Sequence, residues 1–226
     1  MKPINLKPGD SVKVKSGILE PDNEEFEIGG WQGYVIDIDT KSNAENTLIT
    51  IEWDSVTLQK MPDEYIIEAA VEGLSWQTMI LYDTDIEKAT ASDTIQDVKK
   101  IQSELEDKYY WSSFGEEGLR IEKVLEGTNK NDERECMLRW FNYLELNLSF
   151  PFKAEVSLES YSTSIRDGDI VTVKSLHDFV DLYGILATSI FERSRLQVPL
   201  VELIVKDKKS NNFQLINDYN TWFSNQ

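Results

Sequence analysis

Apolar and polar positions alternate in short runs along the first part of the chain. After the turn Lys7-Pro8-Gly9-Asp10, Val12 and Val14 face one way and Lys13 and Lys15 the other, which predicts a half-buried strand. Gly29-Gly30-Trp31-Gln32-Gly33 breaks the chain and leads into a second apolar run from Tyr34 to Asp39. Leu48 to Trp53 alternates again, and Ile66-Ile67 and Met79 to Tyr82 add further apolar runs. Short strands separated by Gly, Pro and Asp turns predict a small barrel, and their order looks SH3-like or KOW-like.

The period changes near Ala89-Thr90-Ala91-Ser92-Asp93. Ser92 or Asp93 is placed to cap a helix carrying Val98, Ile101 and Leu105, and Gly118 to Leu125 continues in the same style. Asn131 or Asp132 then caps a helix whose apolar residues Met137, Leu138, Trp140, Phe141, Leu144 and Leu148 recur at three and four positions. Pro151 stops it. Period two returns from Lys153 to Leu158, from Ile170 to Lys174, from Tyr183 to Ala187 and from Val201 to Val205.

These patterns predict an α+β chain of two small SH3-like β-barrels joined by a helical segment. The boundaries are 1–90 for the first barrel, 91–130 for the helical segment and 131–226 for a helix plus the second barrel. The halves also resemble each other locally. Gly9 to Lys15 matches Gly168 to Lys174 at five of seven positions, and each match is followed by a Gly-containing strand. Two barrels of related plan account for this simply; Gly-Asp before an alternating strand is also common turn chemistry.

Charge narrows the choice of partners. The chain carries 23 basic and 41 acidic side chains, a net of −18, with both halves acidic. Neither half can line a cationic groove broadly, so nucleic acid and anionic membrane are poor partners. Excess carboxylate favours cations, basic partners or solubility. Cys136 is the sole cysteine, which rules out an intrachain disulfide or a Cys-rich zinc site. No apolar run reaches membrane-spanning length and the start resembles no signal peptide, so the expected compartment is the cytoplasm.

Familiar catalytic motifs are missing. His177 is the sole histidine, read as a solvated loop residue beside Asp178, and no Gly-x-Ser-x-Gly elbow is present to receive it. The chain has no Gly-x-x-x-x-Gly-Lys cradle, no Gly-x-Gly-x-x-Gly fingerprint and no His-Glu-x-x-His helix. The helix-loop-helix calcium loop is absent as well, since Asp37-Ile38-Asp39, Asp83-Thr84-Asp85 and Asp167-Gly168-Asp169 lack its glycine in the required place. The expectation is a protein without enzymatic activity.

The last third carries an ordered series of unusual segments. They include Trp140-Phe141-Asn142-Tyr143-Leu144, Phe150-Pro151-Phe152-Lys153-Ala154-Glu155-Val156, Asp181-Leu182-Tyr183-Gly184-Ile185 and Asp218-Tyr219-Asn220-Thr221-Trp222-Phe223. Over about residues 132–226 this resembles the small non-EF-hand calcium-binding protein family first known from cyanobacteria. The resemblance implies a helical element packed on an SH3-like sheet, Ca2+ as the bound ion, and a buffering or sensing role. The chain departs from the family in its long N-terminal extension and in His177 to Asp181, where family members tend to be denser in acids.

Candidate ligands follow from that resemblance and from the placement of acids at turns. Asp178 and Asp181, entering Gly184, form the first cluster; Asp167 and Asp169 form the second. Asp207 and Asp218 lie in family-like segments and can converge with Glu155. Each also has a structural reading. Asp169 and Asp207 can stabilise turns, Asp218 can cap a last helical turn, and Glu155 can be a solvated strand residue. In the first module the acidic loop Asp22 to Glu27 can attract calcium or a basic protein partner, and Trp31 and Trp53 can line a peptide groove or pack in a core. The rival to a calcium-binding role is a protein–protein adaptor with two SH3-like barrels and no metal.

Overall fold

A computed structural model describes residues 5–40, 47–157 and 165–226. Leu158, which ends the alternation read from Lys153, lies outside the described residues, as do the first four. The chain is α+β and divides into two compact units, Met1–Gly115 and Glu116–Gln226. Each holds a five-stranded antiparallel sheet.

In the first unit the strands are β1 (Ser11–Val14), β2 (Gln32–Asp39), β3 (Leu48–Trp53), β4 (Thr78–Tyr82) and β5 (Ile86–Lys88), in the order β4-β3-β2-β1-β5. Alternation places Val12, Val14, Val35, Ile49, Ile51, Trp53 and Leu81 in the core, every one at most 3% exposed. Trp53 is fully buried, so of the two roles open to it, groove or core, it takes the core. Trp31 meets it edge to face at 5.3 Å and meets Tyr65 in the same way.

Two helices interrupt the strands between β3 and β4, where the sequence suggested another apolar strand at Ile66-Ile67. Helix α1 (Ser55–Lys60) starts at Asp54, whose carboxylate accepts from the Thr57 N–H at 2.7 Å. Helix α2 (Asp63–Glu72) starts after Pro62, carries two acids in its first turn and ends at Gly73. Tyr65, Ile66 and Ala69 form its buried face. The adjacent isoleucines fit a helix because Ala69 and Ala70 continue the pattern at helical spacing.

Helix α3 (Ile95–Lys108) belongs to this unit: Val98 is buried in its core, with Ile101 and Leu105 packed beside it. Its cap is Thr94, one residue beyond the expected pair, in a reciprocal box with Asp97. Asp93 has another task. Its carboxylate accepts from the Tyr34 hydroxyl at 2.6 Å and the Ser55 N–H at 2.5 Å, tying the segment before α3 to β2 and α1.

The second unit contains α4 (Gly115–Val124, all but its first residue), α5 (Glu133–Asn147), β6 (Phe152–Val156), β7 (Ile170–Val180), β8 (Gly184–Phe191), β9 (Ser194–Pro199), β10 (Leu203–Ile204) and α6 (Asn211–Ser224). The sheet order is β10-β6-β7-β8-β9. Asp132 caps α5 as expected, accepting from the Glu135 N–H at 3.0 Å. Strand β7 runs on past Lys174 and takes in His177 and Asp178, both read as loop. Asp178 stands opposite Leu186, just after a bulge. Helix α6 is longer than the single turn the sequence suggested; Ser210 caps it, and Leu215, Ile216, Tyr219 and Trp222 are buried. Trp140 of α5 lies 5.7 Å from Tyr219 and 5.8 Å from Trp222, so the two helices share an aromatic core.

Candidate metal site

The turn joining β7 to β8 is positioned by α6. Gly184 has φ +62°, and a Cβ there would collide with the Tyr219 hydroxyl and approach Phe223 to 3.0 Å. In the space the glycine leaves, the same hydroxyl accepts from the Ile185 N–H at 2.8 Å. The turn is closed by the Tyr183 N–H on the Val180 carbonyl at 3.0 Å. Sequence thus fixes where Asp181 stands: glycine permits the close approach and tyrosine anchors it.

Asp181 faces a cleft of about 480 Å³ at the start of α5. The other wall comes from Asn129, Asn131, Asp132 and Glu133, and Gln226 also lines it. Arg134 places one cation in the cleft, its guanidinium 6.0 Å from the Phe179 ring. Asn129 and Asp132 are already part of the local turn: Asn129 Oδ1 accepts from the Asn131 N–H at 3.2 Å, and the Asp132 N–H donates to the Asn129 carbonyl at 2.9 Å.

The remaining predicted ligands lie elsewhere. Asp178 is exposed on β7, with Oδ1 accepting from the Phe179 N–H at 2.8 Å. Asp169 accepts from the Arg166 N–H at 2.8 Å across its turn, and Asp167 is exposed in the same turn. Glu155 is on neighbouring strand β6, where the Lys206 ammonium meets it at 2.8 Å. Asp207 accepts from the Lys209 N–H at 3.1 Å, a turn contact. Asp218 lies within α6, 4% exposed, and Arg120 holds it with two bonds of 2.8 Å. The pairing also pushes the Arg120 guanidinium above its ordinary value.

Among the described residues, no group of three or more His, Cys, Asp or Glu side chains is gathered closely enough to hold a metal ion. The cleft is nevertheless the right chemistry for a hard cation. Calcium takes roughly 6–8 oxygens at about 2.3–2.6 Å, and carboxylates, amide oxygens, carbonyls and water all serve. Asp132, Glu133 and Asp181 supply carboxylates; Asn129, Asn131 and Gln226 supply amide oxygens. The sequence reading selected only Asp181 from this set. The oxygen-rich run Asn129 to Glu135 is a legible signal in the sequence, of which helix capping accounts for Asn131 and Asp132 alone.

Cys136 offers no alternative chemistry. It is buried, burial pushes its thiol above the ordinary value, and Thr128 lies 3.8 Å away. Among the described residues, no helix is long and apolar enough to cross a membrane.

The second unit therefore presents a helix-flanked sheet with an oxygen-lined cleft. Residues 120–223 match the model of a protein family described as calcium binding, the CcbP family. This is a calcium-binding family rather than an enzyme family, and Ca2+ is its ion. The crystal structure of Anabaena CcbP is similar to this chain at 22% identity, covering 46% of this chain and 89% of that one with a TM-score of 0.39. No curated protein matches the chain.

Proposed function

We propose that this chain is a non-enzymatic, cytoplasmic calcium-binding protein whose second unit holds the ion, as a buffer or sensor. The observation that carries the reading is the family match over residues 120–223, which falls wholly within the unit Glu116–Gln226. In this reading the two sheets are SH3-like barrels. Asp181 is the first ligand, and Asp132, Glu133 and the amide oxygens of Asn129 and Asn131 complete the shell with water. Their spacing requires the β7–β8 turn to draw toward the start of α5 as the ion enters.

The turn residues Asp167 and Asp169 form the second group of candidate ligands, next to Glu155 across the β6–β7 pairing, while Asp178, at the far end of β7, stays with Asp181. There calcium must compete with Lys206 for Glu155. Asp218 can serve only by releasing Arg120, which makes it the least favoured of the seven.

Calorimetric titration of metal-free full-length protein tests the reading, with magnesium as control and with Asp181→Ala and Asp169→Ala variants. Saturable heat selective for calcium and lost in Asp181→Ala is expected. Loss in Asp169→Ala instead would move the site to the turn before β7. No heat beyond dilution up to millimolar calcium would overturn the reading and leave an adaptor with two barrels as the better account.

A further inference from the structure

The first unit holds a groove of about 310 Å³ that calcium binding does not use. Its floor is apolar and is built by three elements: Phe26 from the loop before β2, Tyr65 and Ala69 from α2, and Met79 and Ile80 from β4. Phe26 meets Tyr65 edge to face at 5.2 Å, so the two rings form one continuous apolar surface. Ile80 is 57% exposed and Leu74 beside it 47%, so this apolar surface stands open to solvent. Among the described residues strand β4 ends its sheet, with no strand paired on its outer side.

The groove is also ringed by carboxylates, those of Glu20, Asp22, Glu68 and Glu72. Glu20 is only 7% exposed, and its carboxylate accepts from the N–H groups of Asp22, at 2.8 Å, and Asn23. Asn23 in turn donates to Glu68 at 3.1 Å. Among the described residues no lysine or arginine forms an ion pair with any of the four, and none lines the groove. Burial, with Glu20 and Asp22 nearby, pushes the Tyr65 phenol well above its ordinary value. Like charges gathered around a low-dielectric floor repel one another, and an arriving cation relieves that repulsion.

We propose that this groove docks a basic, amphipathic segment of a partner protein. One apolar side chain of the segment seats on Phe26, Tyr65 and Met79, while lysines or arginines on either side meet Glu20, Asp22, Glu68 and Glu72. The volume is near the lower end of small-molecule pockets, roughly 300 Å³, which suits one anchoring side chain. Lying along β4, an extended segment also gains main-chain hydrogen bonds at the open edge. A second copy of this chain is a poor occupant, because its net charge of −18 has the wrong sign.

Fluorescence anisotropy of the full-length protein, in chelator so that calcium plays no part, tests this with a labelled short peptide alternating lysine and leucine. Saturable binding that weakens with salt is expected. The double variant Glu68→Lys/Glu72→Lys, at two exposed positions, and Ile80→Asp should each weaken it by about tenfold or more. The same peptide with serine for leucine should bind more weakly by a similar factor. The control is Glu116→Lys/Glu145→Lys, which changes net charge equally in the second unit. If it weakens binding as much as the groove variant, attraction to overall charge explains the result and the proposal fails. It also fails if the serine peptide binds equally well, or if neither peptide binds.

Discussion

Arg120 grips Asp218 with two parallel hydrogen bonds, Nε to Oδ2 and Nη2 to Oδ1, each of 2.8 Å. The carboxylate is 6% exposed and the guanidinium side chain 37%, so helix α6 carries its acid inward and α4 neutralises it from the rim. This arrangement is costly to break from the arginine side, because a buried carboxylate is left without its cation. Arg120→Ala should lower stability by about 2 kcal/mol, the usual penalty for a broken buried pair being reduced by the exposure of the arginine. Urea unfolding of the full chain measures this. If Asp218 is structural, Arg120→Ala keeps its calcium heat per folded molecule. A selective gain in calcium affinity would show that Arg120 competes with the ion.

Gly184 and Tyr219 form a second such dependence. Gly184→Ala must place a Cβ where the tyrosine hydroxyl stands, at a left-handed φ that alone disfavours alanine by about 1 kcal/mol. The expected loss exceeds that figure. Tyr219→Phe keeps the ring but leaves the Ile185 N–H without its acceptor, at a cost of about 1–3 kcal/mol. Thermal unfolding followed by near-UV circular dichroism checks both. Equal stability of wild type and Tyr219→Phe would mean that the hydroxyl does not anchor the turn.

The limits of sequence reading show most clearly in the two Gly-Asp turns. Gly9 and Gly168 have φ of +89° and +86°. The following aspartates each accept from the N–H three residues back, Asp10 from Lys7 at 3.2 Å and Asp169 from Arg166 at 2.8 Å. The motif match therefore identified one turn geometry used twice. It did not identify equivalent strands. In both sheets the last strand of the unit pairs with the first, giving β5-β1-β2-β3-β4 and β10-β6-β7-β8-β9. That common order aligns β1 with β6, whereas the motif aligns β1 with β7. Local turn chemistry recurs wherever a chain enters an antiparallel strand, so it reports conformation rather than topological place.

Periodicity was reliable for β1, β2, β3 and α5, where one face is apolar over several residues. It was weakest where tertiary partners decide. Asp218 looks solvent-facing in isolation, and only Arg120, distant in sequence, makes its burial tolerable. Asp178 looks like a loop residue, yet pairing with β8 extends the strand through it. Of the candidate site, Asp181 was legible from its turn, while Asn129, Asn131 and Glu133 came to it through the folding of α5 against the sheet.

Tyr34 supplies a prediction for alkaline pH. Burial, with Asp93 accepting its hydrogen bond at 2.6 Å, pushes the phenol from 10.0 up to about 12. The folded state therefore holds this proton more tightly than the unfolded state. Its stabilising contribution is full below pH 10.0 and is lost as the pH rises through about 12. Tyr34→Phe should cost about 1.5 kcal/mol at neutral pH, as for a hydrogen bond to a charged group. The gap between wild type and Tyr34→Phe in urea midpoint should then close between pH 10.0 and about 12. A gap that stays constant over this range would separate the phenol's titration from its hydrogen bond.

Calcium should leave a local signature if it enters the cleft beside α5. Binding to the folded state alone stabilises it by about 2.7 kcal/mol at roughly 100 times the dissociation constant. Drawing the turn at Asp181 toward Asn131 and Glu133 must slow the local openings of both segments. Amide hydrogen exchange of the full chain, in calcium and in chelator, is therefore expected to show protection at 129–134 and 178–184. The acidic groove of the first unit should show no change. Protection at 153–156, 166–170 and 204–209 instead would place the ion at the end of β6, where it must displace Lys206 from Glu155. In that event the Lys206→Ala variant should bind calcium more tightly, because the competing cation has gone. Under the Asp181 reading the same substitution leaves calcium affinity unchanged, so the two placements are separated by one variant and one titration.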